Sequence, residues 1–209
     1  VFFDSGFEIS IPDHVSDTTV TARIAAVRKD DATEQCVPGF NEEEKHVALW
    51  FDYVNPASGS ESVVSGNDFL PRSMAETKTL DFDENGVAAL DIRYPDVGRV
   101  RLRAQYDGVG EDEGLNMVGD GAFVARPARF QLEIPGNPAA TSVEDGNDFV
   151  AAGSDFEIRV SSLNASGNIT PNFGRELPAE SVALSAALVA PADGRMLPLN
   201  GVFGDFGRD

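Results

Sequence analysis

The sequence predicts an all-β protein of tandem immunoglobulin-like β-sandwich domains, the second of them incomplete at its C-terminal side. Three observations lead there. Short runs of alternating apolar and polar residues are separated by Gly, Pro and Asp, at the spacing of about 8 to 12 residues that two-sheet sandwiches show. No long segment carries a helical period. The chain also repeats itself: VALWFDYVNPASG, starting at Val47, returns as VALSAALVAPADG, starting at Val182, an offset of 135 residues.

Taken in order, Val20 to Val27 sets Val20, Ala22, Ile24 and Ala26 on one face, as a strand with one buried side does. Phe156 to Leu163 alternates Phe156, Ile158 and Val160 in the same way, and the ends of the two runs, Val27 and Leu163, lie 136 residues apart. In the stretch from Val47, the residues Val47, Leu49, Phe51 and Tyr53 alternate inward and Trp50 outward. Ser60 to Thr77 is polar and reads as a loop with a short edge strand. Thr79 to Phe82 and Val87 to Tyr94 flank Asp83-Glu84-Asn85-Gly86; because Asn-Gly readily adopts positive φ, the two runs are expected to form a hairpin. Tyr94-Pro95-Asp96-Val97-Gly98 is a corner, after which Val100, Leu102, Ala104 and Tyr106 share one face of a strand, and Phe123 to Arg126 closes the domain.

These elements divide the chain into a first sandwich at 1–127 and a second at 128–209, joined almost without a linker at Pro127. In the first copy 68 positions separate Gly59 from Pro127, whereas only 15 residues follow Gly194 in the second. The second sandwich is therefore expected to lack the counterpart of Leu80 to Arg126. A neighbouring chain, or the segment Leu197 to Phe206 folding back, is expected to cover the edge left open.

A net charge of -19, from 16 Lys+Arg against 35 Asp+Glu, excludes nucleic acid as a partner, since phosphate backbones need a basic face. The apolar start Val1-Phe2-Phe3 is broken by Asp4, Glu8 and Asp13, so it does not read as a signal peptide, and direct membrane insertion is not expected. A chain opening on Val reads as a piece of a longer protein. Cys36, the single cysteine, forbids an internal disulfide; it is a free thiol or pairs with a cysteine elsewhere in the parent chain. His14 and His46 sit in no nucleophile context and there is no G-x-S-x-G, so the chain is not expected to be an enzyme.

The run DFDENGVAALDIRYPDVGRVRLRAQY, Asp81 to Tyr106, resembles the late strands of bacterial immunoglobulin-like repeats. Pro127-Ala128-Arg129-Phe130, Phe149 to Gly153, and LNASGNITPNFGRE from Leu163 to Glu176 are similar to the C-terminal region of MshQ-type proteins. Those proteins are associated with the mannose-sensitive haemagglutinin type IV pilus of Gram-negative bacteria. The resemblance implies an extracellular, cell-surface setting and a non-enzymatic stalk or presentation role, with other domains of the parent chain and pilus components as partners. It carries over no binding residues. An adhesin-type module for a carbohydrate or protein ligand is the alternative.

Two clusters invite a chemical reading. Arg99, Arg101 and Arg103 line the outward face of one strand, with Arg93 expected close by and Trp50 placed for cation–π contact; a carboxylate-bearing partner would dock there. The competing expectation is cross-strand neutralisation by Asp52 and Asp91. The loop carrying Glu111, Asp112 and Glu113, with Asp107 and Asp120 nearby, offers oxygen ligands for calcium, the one cofactor considered, against a plain solvated loop. Asp145, Asn147 and Asp148 raise the same question. Asp81-x-Asp83-x-Asn85-Gly86 begins like an EF-hand loop, but its twelfth position is Ile92 where a bidentate Glu is needed, and it reads as a turn.

Overall fold

The structure is a computed structural model that describes residues 5–30, 32–74, 77–137, 149–151, 153–188 and 193–195. Its strands are β1 (Ser5–Ser10), β2 (His14–Val15), β3 (Thr19–Lys29), β4 (Cys36–Pro38), β5 (Glu43–Asn55), β6 (Val64–Ser65), β7 (Asp68–Phe69), β8 (Thr77–Phe82), β9 (Val87–Arg93), β10 (Gly98–Asp107), β11 (Asn116–Arg126), β12 (Arg129–Glu133) and β13 (Arg159–Leu163). The first eleven build two sheets. One runs β1-β3-β9-β6-β7 with β4 beside β3, and the other runs β2-β11-β10-β5-β8. All pairings are antiparallel except β2 with β11, which is parallel. This is the sandwich that the alternating runs predict.

Alternation decides which side chains meet between the sheets. On β10, Val100, Leu102, Ala104 and Tyr106 are buried while the intervening arginines point outward. Ala22, Ile24 and Ala26 of β3 face them from the other sheet, all with no exposed surface. Phe51 and Ile92 complete the middle of the core, each large apolar side chain contributing about 1.5–3 kcal/mol by leaving water. Aromatic rings close one end: Phe40 packs edge-on to Phe82 at 5.0 Å and to Tyr106 at 5.2 Å. Tyr94, Phe123 and His14 fill the other, the His14 ring stacking on Phe123 at 5.0 Å.

The expected hairpin of Thr79–Phe82 with Val87–Tyr94 is corrected by the sheet topology. Both runs are strands, but β8 bonds to β5 and β9 bonds to β3, so the connection crosses from one sheet to the other. Leu80 and Phe82 enter the core from one side, and Ala88 and Ile92 from the opposite side. The turn chemistry still matters. Asp83 accepts the N–H groups of Asn85 (2.8 Å) and Val87 (2.9 Å), bonds that hold its carboxyl below its ordinary range. Gly86 takes φ +70°, and a Cβ there would lie 3.0 Å from the carbonyl oxygens of Ala26 and Phe40. Asn-Gly thus specifies a tight reversal, and the inner-face residues on either side decide which sheet each strand joins.

In the second domain β12 and β13 form a five-pair antiparallel ribbon, and Phe130 packs edge-on to Phe173 at 5.1 Å. Two expectations need correction. The strand read from Phe156 begins at Arg159, leaving Phe156 exposed. In the second copy of the repeat, Val182 is a single β-bridge residue and residues 183–188 have no regular structure, unlike β5 in the first copy. Leu197 to Phe206 lie outside the described residues.

The two sheets meet along one side where β1 lies against β11. A Cβ at Gly119 would stand 2.1 Å from the carbonyl oxygen of Phe7, and one at Gly121 2.4 Å from that of Ile9. Backbone therefore rests on backbone there, which only glycine permits. Gly119→Ala and Gly121→Ala are each expected to lower stability by about 1–3 kcal/mol or more in urea unfolding, as overpacking does. Val118→Ala, on the partly exposed face of the same strand, should stay within about 0.5 kcal/mol.

Candidate functional site at the domain junction

Only Pro127 and Ala128 separate β11 from β12, so the second domain leaves the first at its lower end, beside the corner Tyr94 to Gly98. Pro95 and Asp96 turn the chain between β9 and β10, and the turn tucks the Asp96 side chain beneath the sheet, with no exposed surface. From the second domain, Leu163 ends β13 and a tight turn follows, in which the Asn164 side chain accepts the Asn168 N–H (2.9 Å). Thr170 then returns to bond Ser162, and Asn172 is delivered to the corner.

A polar network results. Asp96 Oδ1 accepts the N–H groups of Val97 (2.8 Å) and Asn172 (3.1 Å). Asn172 Nδ2 donates to the Tyr94 hydroxyl (3.2 Å) and to the Val97 carbonyl (3.4 Å). Asn164 Nδ2 donates to the Pro95 carbonyl (2.9 Å), and the Ala165 N–H donates to Ser16 O (3.0 Å). At the rim, Asn55 exchanges two hydrogen bonds with the Leu177 backbone, accepting at 2.8 Å and donating at 3.2 Å. Asn164 and Asn172 are almost wholly buried, although both are asparagines of a loop.

Two acceptors in this network, Asp96 Oδ2 and Asn172 Oδ1, find no donor among the described residues. Burial penalises the Asp96 carboxylate more than its two backbone hydrogen bonds favour it, and its pKa is pushed up to about 6; Glu61 adds to the rise and Arg175 opposes it. Tyr94, buried beside it, is likewise raised, mainly by desolvation.

The predicted arginine face is taken apart by the register. Arg93 is not beside the others: it lies on β9, in the opposite sheet, paired with Asp17. Arg103 stands opposite Trp50 but its guanidinium pairs with Asp52, the diagonal neighbour, and Arg101 pairs with Asp120 at 3.3 Å. Asp91 accepts from Thr21 (2.7 Å). The cation–π contacts of the described residues use Lys45 over Phe40 at 4.9 Å and over Tyr106 at 5.9 Å, and Arg72 over Tyr53 at 4.0 Å and over Phe51 at 5.4 Å, and not Trp50. Arg99, at the junction end of the stripe, makes no ion pair among the described residues.

The carboxylates of the acidic loop are drawn to separate partners. Asp112 turns inward to Lys45 Nζ (2.6 Å) and accepts the Tyr106 hydroxyl (2.7 Å), contacts that lower its pKa. Burial works against the Lys45 ammonium, but Asp112 and Glu43 together raise its pKa above the ordinary range. Asp107 is bonded by Asn116 and Gln105 and Asp120 pairs with Arg101, while Glu111 lines one shallow pocket with Asp107 and Asp112. Among the described residues no three His, Cys, Asp or Glu side chains form a metal-holding group. Asp145, Asn147 and Asp148 lie outside the described residues.

Sequence reasoning passed over Asp96, Asn164 and Asn172. The two asparagines had a signal in the density of small polar residues in LNASGNITPN, far more than a single loop requires for its own turns; Asp96, in the corner before β10, had none of that kind.

The family model described as domain of unknown function (DUF6701), first Ig-like domain, matches residues 1–120. A second, described as DUF6701, second domain, matches residues 126–208. No curated protein and no solved structure matches the chain.

Because the Asp96 pKa is raised on folding, the folded protein holds more protons than the unfolded chain between about pH 4 and the raised value, about 6. Its contribution is fully present below about pH 4 and lost as pH rises through about 6. Asp96→Asn keeps an acceptor for the two N–H groups and replaces the charge by a donor. The variant is expected to be more stable than the parent at pH 7.5, by on the order of 1–3 kcal/mol, with the difference closing by pH 4. Urea unfolding of both proteins across this range checks it, and the comparison cancels carboxylates such as Asp83 that weaken the fold in acid.

Proposed function

The chain belongs to the DUF6701 family, and from that membership we propose that it is a non-enzymatic structural module, a stalk or presentation segment of a bacterial surface protein. The observation that carries this reading is the junction. A flexible string of domains needs only a linker, and a polar one suffices. Here two asparagines, a carboxylate and several backbone groups are withdrawn from water at the point where the domains meet, and the linker is two residues long. Buried hydrogen bonds are directional and costly to leave unmade, so such a contact fixes one orientation rather than merely holding two domains close. Fixed orientation is what a segment needs in order to project something away from a surface.

The strongly acidic composition supports an exposed setting in which neighbouring copies repel and stay dispersed. No helix among the described residues is long and apolar enough to cross a membrane. The likeness of Leu163–Glu176 to MshQ-type proteins supports a pilus-linked Gram-negative surface, and the matching stretch supplies Asn164 and Asn172, the second-domain half of the junction.

Residual dipolar couplings measured on each domain test this reading. In the parent protein both domains are expected to report one common alignment tensor. Asn164→Ala combined with Asn172→Ala is expected to split them into two tensors with each domain still folded. Independent tensors in the parent protein would overturn the rigid-segment reading.

A further inference from the structure

We propose that the groove between the two domains is a binding site for a carboxylate-bearing sugar, with the carboxylate held by Arg99 and Arg126. The groove has a volume of about 420 Å³, within the range of about 300–1,000 Å³ typical of small-molecule sites. Arg99, Val124 and Arg126 form the wall from the first domain, and Phe173, Glu176 and Glu180 the wall from the second.

The strand register brings the arginines together. Arg99 lies opposite Val124, so Arg126, two residues further along β11, is its diagonal neighbour on the same face, roughly 7–8 Å away along the sheet. Neither makes an ion pair among the described residues. On the same face the neighbouring Arg101 and Arg103 each have an aspartate, which Arg99 and Arg126 lack. Two guanidiniums left side by side repel unless an anion lies between them, and their planar forks suit a carboxylate. Val124, 41% exposed, supplies an apolar surface between the two.

The opposite wall selects the remainder of the ligand. Glu176 uses one oxygen to accept the Gly174 N–H (2.7 Å), so its other oxygen, like the Glu180 carboxylate, is available to accept from hydroxyl groups. A ligand anionic at both ends would be repelled there, as would a polyphosphate by the net charge of -19. A uronic acid type of sugar, with a carboxylate at one end and hydroxyls at the other, meets both walls. The site takes the fixed junction as given, because its walls come from both domains.

The test is an NMR titration with D-glucuronic acid that follows the arginine Nε–Hε signals, on protein whose domains have been shown to share one alignment tensor. That prior measurement separates failure of the ligand from failure of the junction. Saturable shifts are expected at Arg99 and Arg126 and not at Arg101 or Arg103. D-Glucose and acetate should each bind at least about tenfold more weakly, and Arg99→Gln or Arg126→Gln should each weaken glucuronate by about tenfold or more. Both arginines are exposed, so unchanged amide spectra will show that the variants stay folded. Shifts that do not saturate, or that persist in the Arg99→Gln, Arg126→Gln double variant, would overturn the site. Acetate matching glucuronate, or N-acetylglycine binding more tightly than it, would overturn the assignment to a sugar, the latter in favour of a peptide C-terminus.

Discussion

A carboxylate cut off from water is the constraint around which this molecule is arranged. Asp96 cannot be left alone: without donors it would be among the least favourable groups a protein can bury. Val97 supplies one donor from the same corner, and Asn172 supplies the other from 76 residues away. That second bond requires the turn after β13 to be closed, Thr170 to be bonded back to Ser162, and β12 to lie alongside β13. The first domain's corner and the second domain's ribbon are thus conditions for each other, and the short Pro127-Ala128 connection limits how far either could depart from that arrangement.

The first domain meets a different constraint by a different means. Its sheets are filled in the middle by branched and aromatic side chains and closed at one side by removing side chains altogether, at Gly119 and Gly121. Close packing tolerates either solution, but not a mixture at one place. The outer face of the β5-β10-β11 sheet shows a third kind of economy: Asp52 and Asp120 neutralise Arg103 and Arg101 along diagonals, leaving an ordinary solvated surface that ends at Arg99 and Arg126, neither ion-paired among the described residues. Charge is thereby left uncompensated at the junction and nowhere else along that stripe.

How much of this could be read beforehand depended on whether the cause was local. The alternation of Ala22, Ile24 and Ala26, or of Val100 through Tyr106, is a property of a few consecutive residues, and it placed β3, β5 and β10 correctly. Asp83-Glu84-Asn85-Gly86 announced a reversal, but the same turn serves a hairpin and a crossing between sheets, and only the partners β5 and β3 decide between them. The repeat at Val182 matched in letters, yet its described part from 183 to 188 is not a strand, because a strand is made by its neighbours as much as by its own pattern. Pairing of arginines with aspartates needed the register, so Arg93 was grouped with residues of the wrong sheet. The alternate glycines of Val118-Gly119-Asp120-Gly121 were a legible sign of backbone approach that composition alone did not bring out. For Asn164 and Asn172 the polar density of LNASGNITPN was the one local sign, but nothing in a loop states that another domain's carboxylate waits for it.

One pairing has a mechanical meaning. The short strand β2 lies parallel to the end of β11, His14 beside Ala125 and Val15 beside Arg126, and Ser16 bonds onward to the Arg126 carbonyl at 2.8 Å. When a domain is drawn out by its two ends, β2 is pulled backward and β11 forward. In a parallel pair those pulls run along the strands, across the hydrogen bonds, so the bonds are loaded together in shear rather than opened one after another. The same Ser16 receives the Ala165 N–H of the second domain, so tension arriving there is divided between the sandwich and its neighbour.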